Sequence, residues 1–552
     1  MNRPQAEIII YGRVATLAGE SGFGWQSGLA IAGGRVLAVG SATELELLAG
    51  AGTRRWRLAD DEAVMPGITD AHLHLMNLTL AETQLDVTDL DLPATMAAIA
   101  ERDRQLRAAG DVDGWLLGHG WSVHHLGRWP EAALLDQAAP GRPVALHAHD
   151  HHSRWVSTAA LRMARIDAFS PDPQGGLIRR DAAATPTGIL HETASAMVDP
   201  LIPDPPREGV TEALDAVAAR LATLGITGCH DPGELTSESE IKRGPLLYRE
   251  LAEQGRLPLR VHASVRGPQL ARAMELGLRS GQRAGRYAMG WLKLFADGSL
   301  GSRSAALLEP YSDADTNPST GGPRGMYLMA PDELLDHVRR AAAAGISSQI
   351  HAIGDAAVRT ALDIFATEEG GAGGLMPRIE HAQLVAPADQ LRFGQLGVAA
   401  SVQPVHLRSD AEPARAAWDA RSKHAFPLRG LLDGGALIPF GTDAPVEPPD
   451  PWPGIAVAIA RRDPHRATAQ PVGAGHAIDL ARALRAACLD PALVAGQDDL
   501  GRLLPGYVAD LLVVPAVAMS GNSDPAALAV THPLVTLIDG HVVHRAAGYD
   551  RA

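Results

Sequence analysis

The chain has 552 residues, 46% of them hydrophobic, a net charge of −15 and a pI near 5.8. That is apolar material for a large core and more than one structural unit, and an acidic chain without a basic block is not expected to bind nucleic acid. Two cysteines, Cys229 and Cys488, build no disulfide framework, no run is apolar enough to span a membrane, and the N-terminus lacks a signal-peptide pattern, so a soluble protein in a reducing cytoplasm is expected.

In chain order, AEIIIYGRVATL and GLAIAGGRVLAVG read as short strands, with a hairpin turn at Gly33-Gly34. ADLLVVPAV and LVTLIDGHVVHR, with Asp539-Gly540, have the same texture at the far end. A β-sandwich built from both termini, residues 1–63 and 499–552, is therefore expected around a different middle. That middle, 64–498, places apolar strands at about 64–75, 224–231, 257–265, 288–297, 346–353, 377–382, 397–404 and 437–443. Helical patterns fall between them. One runs from Pro206 to Gly225 and another from Pro331 to Gly345, each with Pro in the first turn and Gly just past the last. Eight strands with intervening helices predict an α/β fold, a (β/α)8 TIM barrel. The interval of about 76–205 between the first two strands is too long for a connection and reads as an inserted subdomain or lid.

The chemistry-bearing residues fall at predicted strand ends. MPGITDAHLHLM puts His72 and His74 two apart, hence on one face of a strand. HAHDHHSRWV, in the insertion, clusters His147, His149, His151 and His152. WLKLFADGSLGSR holds Lys293, with Asp297 and Arg303 following. The chain has only three lysines against 46 arginines, so a lysine kept in an apolar run points to a need for an amine rather than for a charge; pairing with an acid such as Asp297 is the alternative. His351 in SQIHAIGDAA, His381 in PRIEHAQ, Gln403 in SVQP and Asp443 in IPFGTDAPV follow at the ends of the next strands. Each alone suits a satisfied core polar group, but together they converge on one barrel mouth, where such folds place their sites.

The strings KLFADGSLGSRSAALLEPY, HAIGDAA, RIEHAQ, SVQP and GTDAPVEP resemble the amidohydrolase superfamily of metal-dependent hydrolases. Within it they are similar to the amidohydrolase-3, or YtcJ-like, group and to N-substituted formamide deformylases. The resemblance implies a metal-dependent amidohydrolase cleaving a C–N amide-type bond of a small N-acyl or N-formyl amine with a metal-bridging hydroxide. It implies two divalent ions, with zinc first choice: His72, His74 and Asp443 on one, His351 and His381 on the other, and Lys293 bridging them as a CO2-derived carbamate. Asp443 would shuttle the proton. His152 matches a family histidine that would touch substrate, with His151 where the family has Gly; Asp297, Arg303 and Gln403 are further substrate-binding candidates. A mononuclear deaminase-type reaction and a non-catalytic regulatory or binding protein on the same scaffold are the alternatives. A homodimer is the expected assembly, and neither a nucleic acid nor a membrane is expected as a partner.

Overall fold

The computed structural model describes residues 5–551 apart from 20–21, 150–152, 174, 204, 234–241, 315–321, 467 and 522–523. Seven parallel strands form its central sheet: β1 (Ile68–Asp70), β2 (Ile226–Asp231), β3 (Arg260–Arg266), β4 (Tyr287–Phe295), β5 (Ser347–Ala352), β6 (Arg378–His381) and β7 (Ala399–Ser401), hydrogen-bonded in that order. Almost every residue in them is buried. Strands covered on both faces read as continuous apolar runs rather than as an alternation, which is why they were legible by composition more than by period.

The predicted eighth strand, 437–443, has no regular ladder; its one bridge pairs Phe440 with Val402. Pro439 has no N–H to give and Asp443 sits at φ +61°, so continuous pairing is blocked. The segment still bonds to both sides. Leu437 and Pro439 accept from Ala400 and Val402 at 3.0 Å, while Phe440 accepts from Ala71 at 2.8 Å and Asp443 donates to the His72 carbonyl at 2.7 Å. The curled sheet thus meets its own first strand, as a barrel requires. The helices sit where the sequence put them: Arg207–Thr223 and Pro331–Ala343 run toward Gly225 and Gly345, whose φ of +89° and +74° turn the chain out of the helix. Among the described residues no helix is long and apolar enough to cross a membrane.

Both chain ends join one eight-stranded sheet, in which Glu62–Pro66 pairs antiparallel with Leu511–Pro515, Val64 opposite Val513. Its two tight hairpins turn at Gly33-Gly34 (φ +57° and +73°) and Asp539-Gly540 (φ +51° and +72°). Both central residues need positive φ in such a turn, hence the glycines. Ile8, Ile10, Leu29, Val64, Leu511, Val513 and Leu537 form its buried core.

The chain divides into two compact units. One comprises Met1–His74, Ala218–Gly233 and Glu240–Ala552; the other contains Leu75–Val217, and the insertion expected at about 76–205 falls within it. That second unit has a six-stranded sheet of its own: Gly176–Arg180, Pro186–Glu192, Ser153–Val156, Val144–Ala148, Leu116–Trp121 and Leu85–Asp86, in that order. Trp121 and Trp155 are fully buried in its core with Leu116, Leu135 and Val144. Arg142 is buried too, its guanidinium shared among Asp103, the Gly114 carbonyl and Asp111, so this charge is neutralised inside the unit.

Candidate metal centre

Strand β1 ends one residue before Ala71, and the chain then carries His72 and His74 into the interior of the first unit, both buried. The His72 Nδ1–H donates to the Glu380 carboxylate, and the His74 Nδ1–H donates to the Gly233 carbonyl at 2.5 Å. These bonds leave the Nε2 lone pairs facing inward. Asp443 Oδ1 lies 3.5 Å from His72 Nε2 and 3.3 Å from His74 Nε2. Three ligands at about 2.1 Å from a tetrahedral ion stand about 3.4 Å from one another. His72 Nε2 is buried without a hydrogen-bond partner, so an acceptor-type nitrogen, a carboxylate oxygen and the right mutual spacing fit one divalent cation. These residues are one of two candidate metal-holding trios among those described; the other is His381, His406 and Asp443.

Asp443 is aimed by its surroundings. Asp70, on β1, accepts from the Thr442 Oγ1 hydroxyl at 2.6 Å and from the Thr442 and His72 amides at 3.1 Å, which locks the last barrel segment beside the first. Burial pushes Asp70 up to about 7. Burial works the same way on Asp443, but the close approach of His74, His72 and His381 outweighs it and holds this carboxylate well below its usual range. Burial, reinforced by Lys293, lowers His72 to about 4; burial and His351 take His381 well below the ordinary histidine value. Both rings are neutral at neutral pH, the form that binds a metal.

Lys293 is 1% exposed on β4, its Nζ 4.9 Å from the Phe295 ring centroid. Burial brings its ammonium down to about 8, against the opposing pull of Glu380 and Asp443. The His351 ring lies 4.5 Å and the His72 ring 5.1 Å from that of His381, centroid to centroid. His351 Nε2 faces the Gly298 carbonyl at 3.2 Å, and the His381 Nδ1–H donates to Gln403 Oε1 at 2.8 Å. Thus His72, His74, His351, His381 and Asp443 share one cluster, with Lys293 in its electrostatic reach. Gln403 is 1% exposed and bonded to one of the rings.

The other predicted residues have different company. Asp297 accepts from the amides of Ala306, Ile353 and Gly354 at 2.8, 3.0 and 2.9 Å, organising the loops after β4 and β5, and burial raises it to about 7. Arg303 pairs with Asp313 at 2.7 Å and donates to the Leu300 carbonyl at 2.7 Å; it does not pair with Asp297. His151 and His152 lie outside the described residues.

Several residues of the cluster escaped the sequence reading. Glu380 and Arg378 pair inside the barrel, both fully buried. Burial alone would raise Glu380, but Arg378 and His72 hold it well below the usual carboxylate range. Their signal was two opposite charges alternating on an apolar strand, RIE. His406, three residues past Gln403, puts Nε2 3.6 Å from Asp443 Oδ2; its only signal was a histidine shortly after a strand end.

The amidohydrolase family model matches residues 59–544. The chain is 32% identical over 494 residues to the putative amidohydrolase YtcJ of Bacillus subtilis, an alignment spanning 87% of this chain and 89% of the relative. It is 25% identical over 502 residues to an N-substituted formamide deformylase of Arthrobacter pascens, spanning 88% and 89%. The crystal structure of an uncharacterized metal-dependent hydrolase from Pyrococcus furiosus superposes with a TM-score of 0.72 at 28% identity, covering 94% of this chain and 99% of that one. With a barrel-edge cluster of the right donors already in place, these matches show that the chain belongs to the amidohydrolase family and is a metal-dependent hydrolase.

Proposed function

We propose that this protein hydrolyses a C–N amide-type bond in a small N-acyl or N-formyl amine. The reading is carried by one observation: one Asp443 carboxylate oxygen stands 3.5 Å from His72 Nε2 and 3.3 Å from His74 Nε2, with the imidazole Nδ1–H groups turned outward. His72, His74 and Asp443 would hold one divalent ion, zinc first choice, His351 and His381 would hold a second, and Lys293 would serve both as a CO2-derived carbamate. When bound, such ions supply Lewis acidity and a water that ionises near neutral pH. The chain supplies the rest. A Lys293 amine at about 8 is about one-tenth neutral at pH 7, and only the neutral amine adds to CO2, losing a proton to become an oxygen-donor anion. Asp443, kept ionised, accepts the proton released as the C–O bond forms and delivers it to the nitrogen as the C–N bond breaks. Glu380 holds His72, and Gln403 holds His381, in the required tautomers. The deformylase relative supports an N-formyl amine as the first substrate to try.

A one-metal enzyme is the second reading, because His72, His74 and Asp443 form a complete trio without Lys293 or His351. Elemental analysis of wild type and Lys293→Arg, prepared identically, separates the two. About two metals per chain, falling in the variant, supports the bridged pair; one or fewer in both overturns it. A screen of N-substituted formamides, N-acyl amino acids and cyclic amides then tests the reaction class, and no turnover of any would sink it.

A further inference from the structure

Five histidine rings meet at the centre, and one is turned the other way. His72, His74, His351 and His381 each set a ring nitrogen against a protein oxygen: the Glu380 carboxylate, the Gly233 and Gly298 carbonyls, and Gln403 Oε1. Each such nitrogen carries the proton, and the other keeps a lone pair. His406 has no oxygen at its Nδ1. That atom lies 3.3 Å from the side-chain amide nitrogen of Gln383, and the same amide nitrogen lies 3.3 Å from Asp410 Oδ2. An ionised carboxylate only accepts, so Asp410 fixes the Gln383 amide with its NH2 toward both neighbours. The flipped amide would set oxygen against oxygen at the same distance. Burial pushes Asp410 up to about 6, which leaves it mostly ionised at pH 7.

His406 Nδ1 must then accept, and a neutral imidazole that accepts at one nitrogen carries its proton on the other. The resulting Nε2–H is on a residue only 7% exposed and has no hydrogen-bond partner among the described residues. It stands 3.6 Å from Asp443 Oδ2, beside a His381 ring inclined by only 15°. A buried donor left open is costly. One held open here by a two-residue relay is prepared for an acceptor that arrives later.

We propose that His406 is a catalytic hydrogen-bond donor to the reacting carbonyl oxygen of the substrate and is not a metal ligand; this rests on the amide-hydrolysis reading above. As the nucleophile adds to the carbonyl carbon, the C=O π pair moves onto that oxygen, and Nε2–H stabilises the charge while keeping its proton. Gln383 and Asp410 are positioning residues that fix the tautomer. The ligand chemistry is that of a tetrahedral oxyanion.

The test compares metal-loaded wild type, His406→Phe and Gln383→Met by metal content, by affinity for methylphosphonate, and by 15N chemical shifts of the histidine rings. Expected are unchanged metal content in both variants, and at least ten-fold weaker methylphosphonate binding in His406→Phe. Wild type should show a protonated Nε2 and an unprotonated Nδ1 at His406. Gln383→Met, nearly isosteric and usable even if His406→Phe does not fold, should mix the two tautomers and lose part of the affinity. Metal lost with His406 would make it a ligand, and methylphosphonate bound no more tightly by wild type would remove the donor role; either overturns the proposal. On any amide that is turned over, His406→Phe should lower kcat about 10²–10³-fold with KM little changed. If no amide is turned over while the three readouts hold, the substrate reading fails and the oxyanion donor stands.

Discussion

Lys293 is buried to 1% in a chain with three lysines and 46 arginines, and its neighbours decide what replacing it does. Arg keeps the charge but cannot become a carbamate. Lys293→Arg should therefore lose metal and also lack the carbamate 13C resonance expected of wild type after incubation with labelled bicarbonate; an identical spectrum for both proteins would dismiss the carbamate. Asp443→Asn keeps the shape and the backbone bond to His72 but removes the proposed proton carrier, so turnover should fall about 10²–10⁴-fold with the circular dichroism spectrum unchanged. Glu380→Gln acts through His72, which loses a charged acceptor at Nδ1. Metal affinity measured by competition with a chelator should drop about 10–100-fold, with unchanged affinity ruling out that role.

The elements show why some of these residues could be read from sequence and others could not. His72 and His74 were visible as two histidines closing an apolar run, but the strand face that reading gave them is absent: β1 ends at Asp70, and both rings sit on the irregular segment that follows. Glu380 was hidden because its neighbour His381 was the more obvious ligand, and ordinary alternation would send the two to opposite faces. His381 reaches the same cluster through its backbone φ of +74°, which no periodicity encodes. The irregular eighth segment was legible as an apolar run, but its loss of ladder follows from Pro439 and the backbone turn at Asp443. Asp490, at the start of the Asp490–Val494 helix, accepts from the Ile438 amide at 3.1 Å and so supports that segment from behind. Burial raises this acid from 3.8 to about 6. The folded state therefore binds more protons than the unfolded state between those values, so stability is full below pH 3.8 and declines as pH rises toward 6. Asp490→Asn should remove that slope, worth up to about 3 kcal/mol, and flatten the fall of Tm between pH 4 and pH 7. A wild-type slope retained in the variant would contradict it.

At the scale of the whole first unit, two arginines, Arg260 and Arg286, join the barrel to the sheet made by the chain ends. Arg260, at the foot of β3, pairs with Asp510 at 2.6 Å and with Asp539 in the Asp539-Gly540 hairpin. Arg260→Ala would leave the buried Asp510 uncompensated, a loss of about 3–5 kcal/mol that should appear as a lower Tm, and Arg260→Ala with Asp510→Ala should recover part of it. Full additivity of the two losses would show that they do not interact. The two-ended sheet and the barrel were legible because strands and turn glycines are local signals. This joint was not, since residues 250 apart in sequence announce nothing to each other.

The seam between Asp70 and Thr442 spans 372 positions, and it sets when the protein can acquire its ion. The two histidines of one ligand trio emerge early in synthesis, while the third partner, Asp443, emerges after four-fifths of the chain. Until the last barrel segment docks against the first, a nascent chain offers a two-tooth grip in place of a three-tooth one. On the proposed ligand set, ion capture waits until the fold is nearly finished, and a retained metal would certify that the barrel has closed.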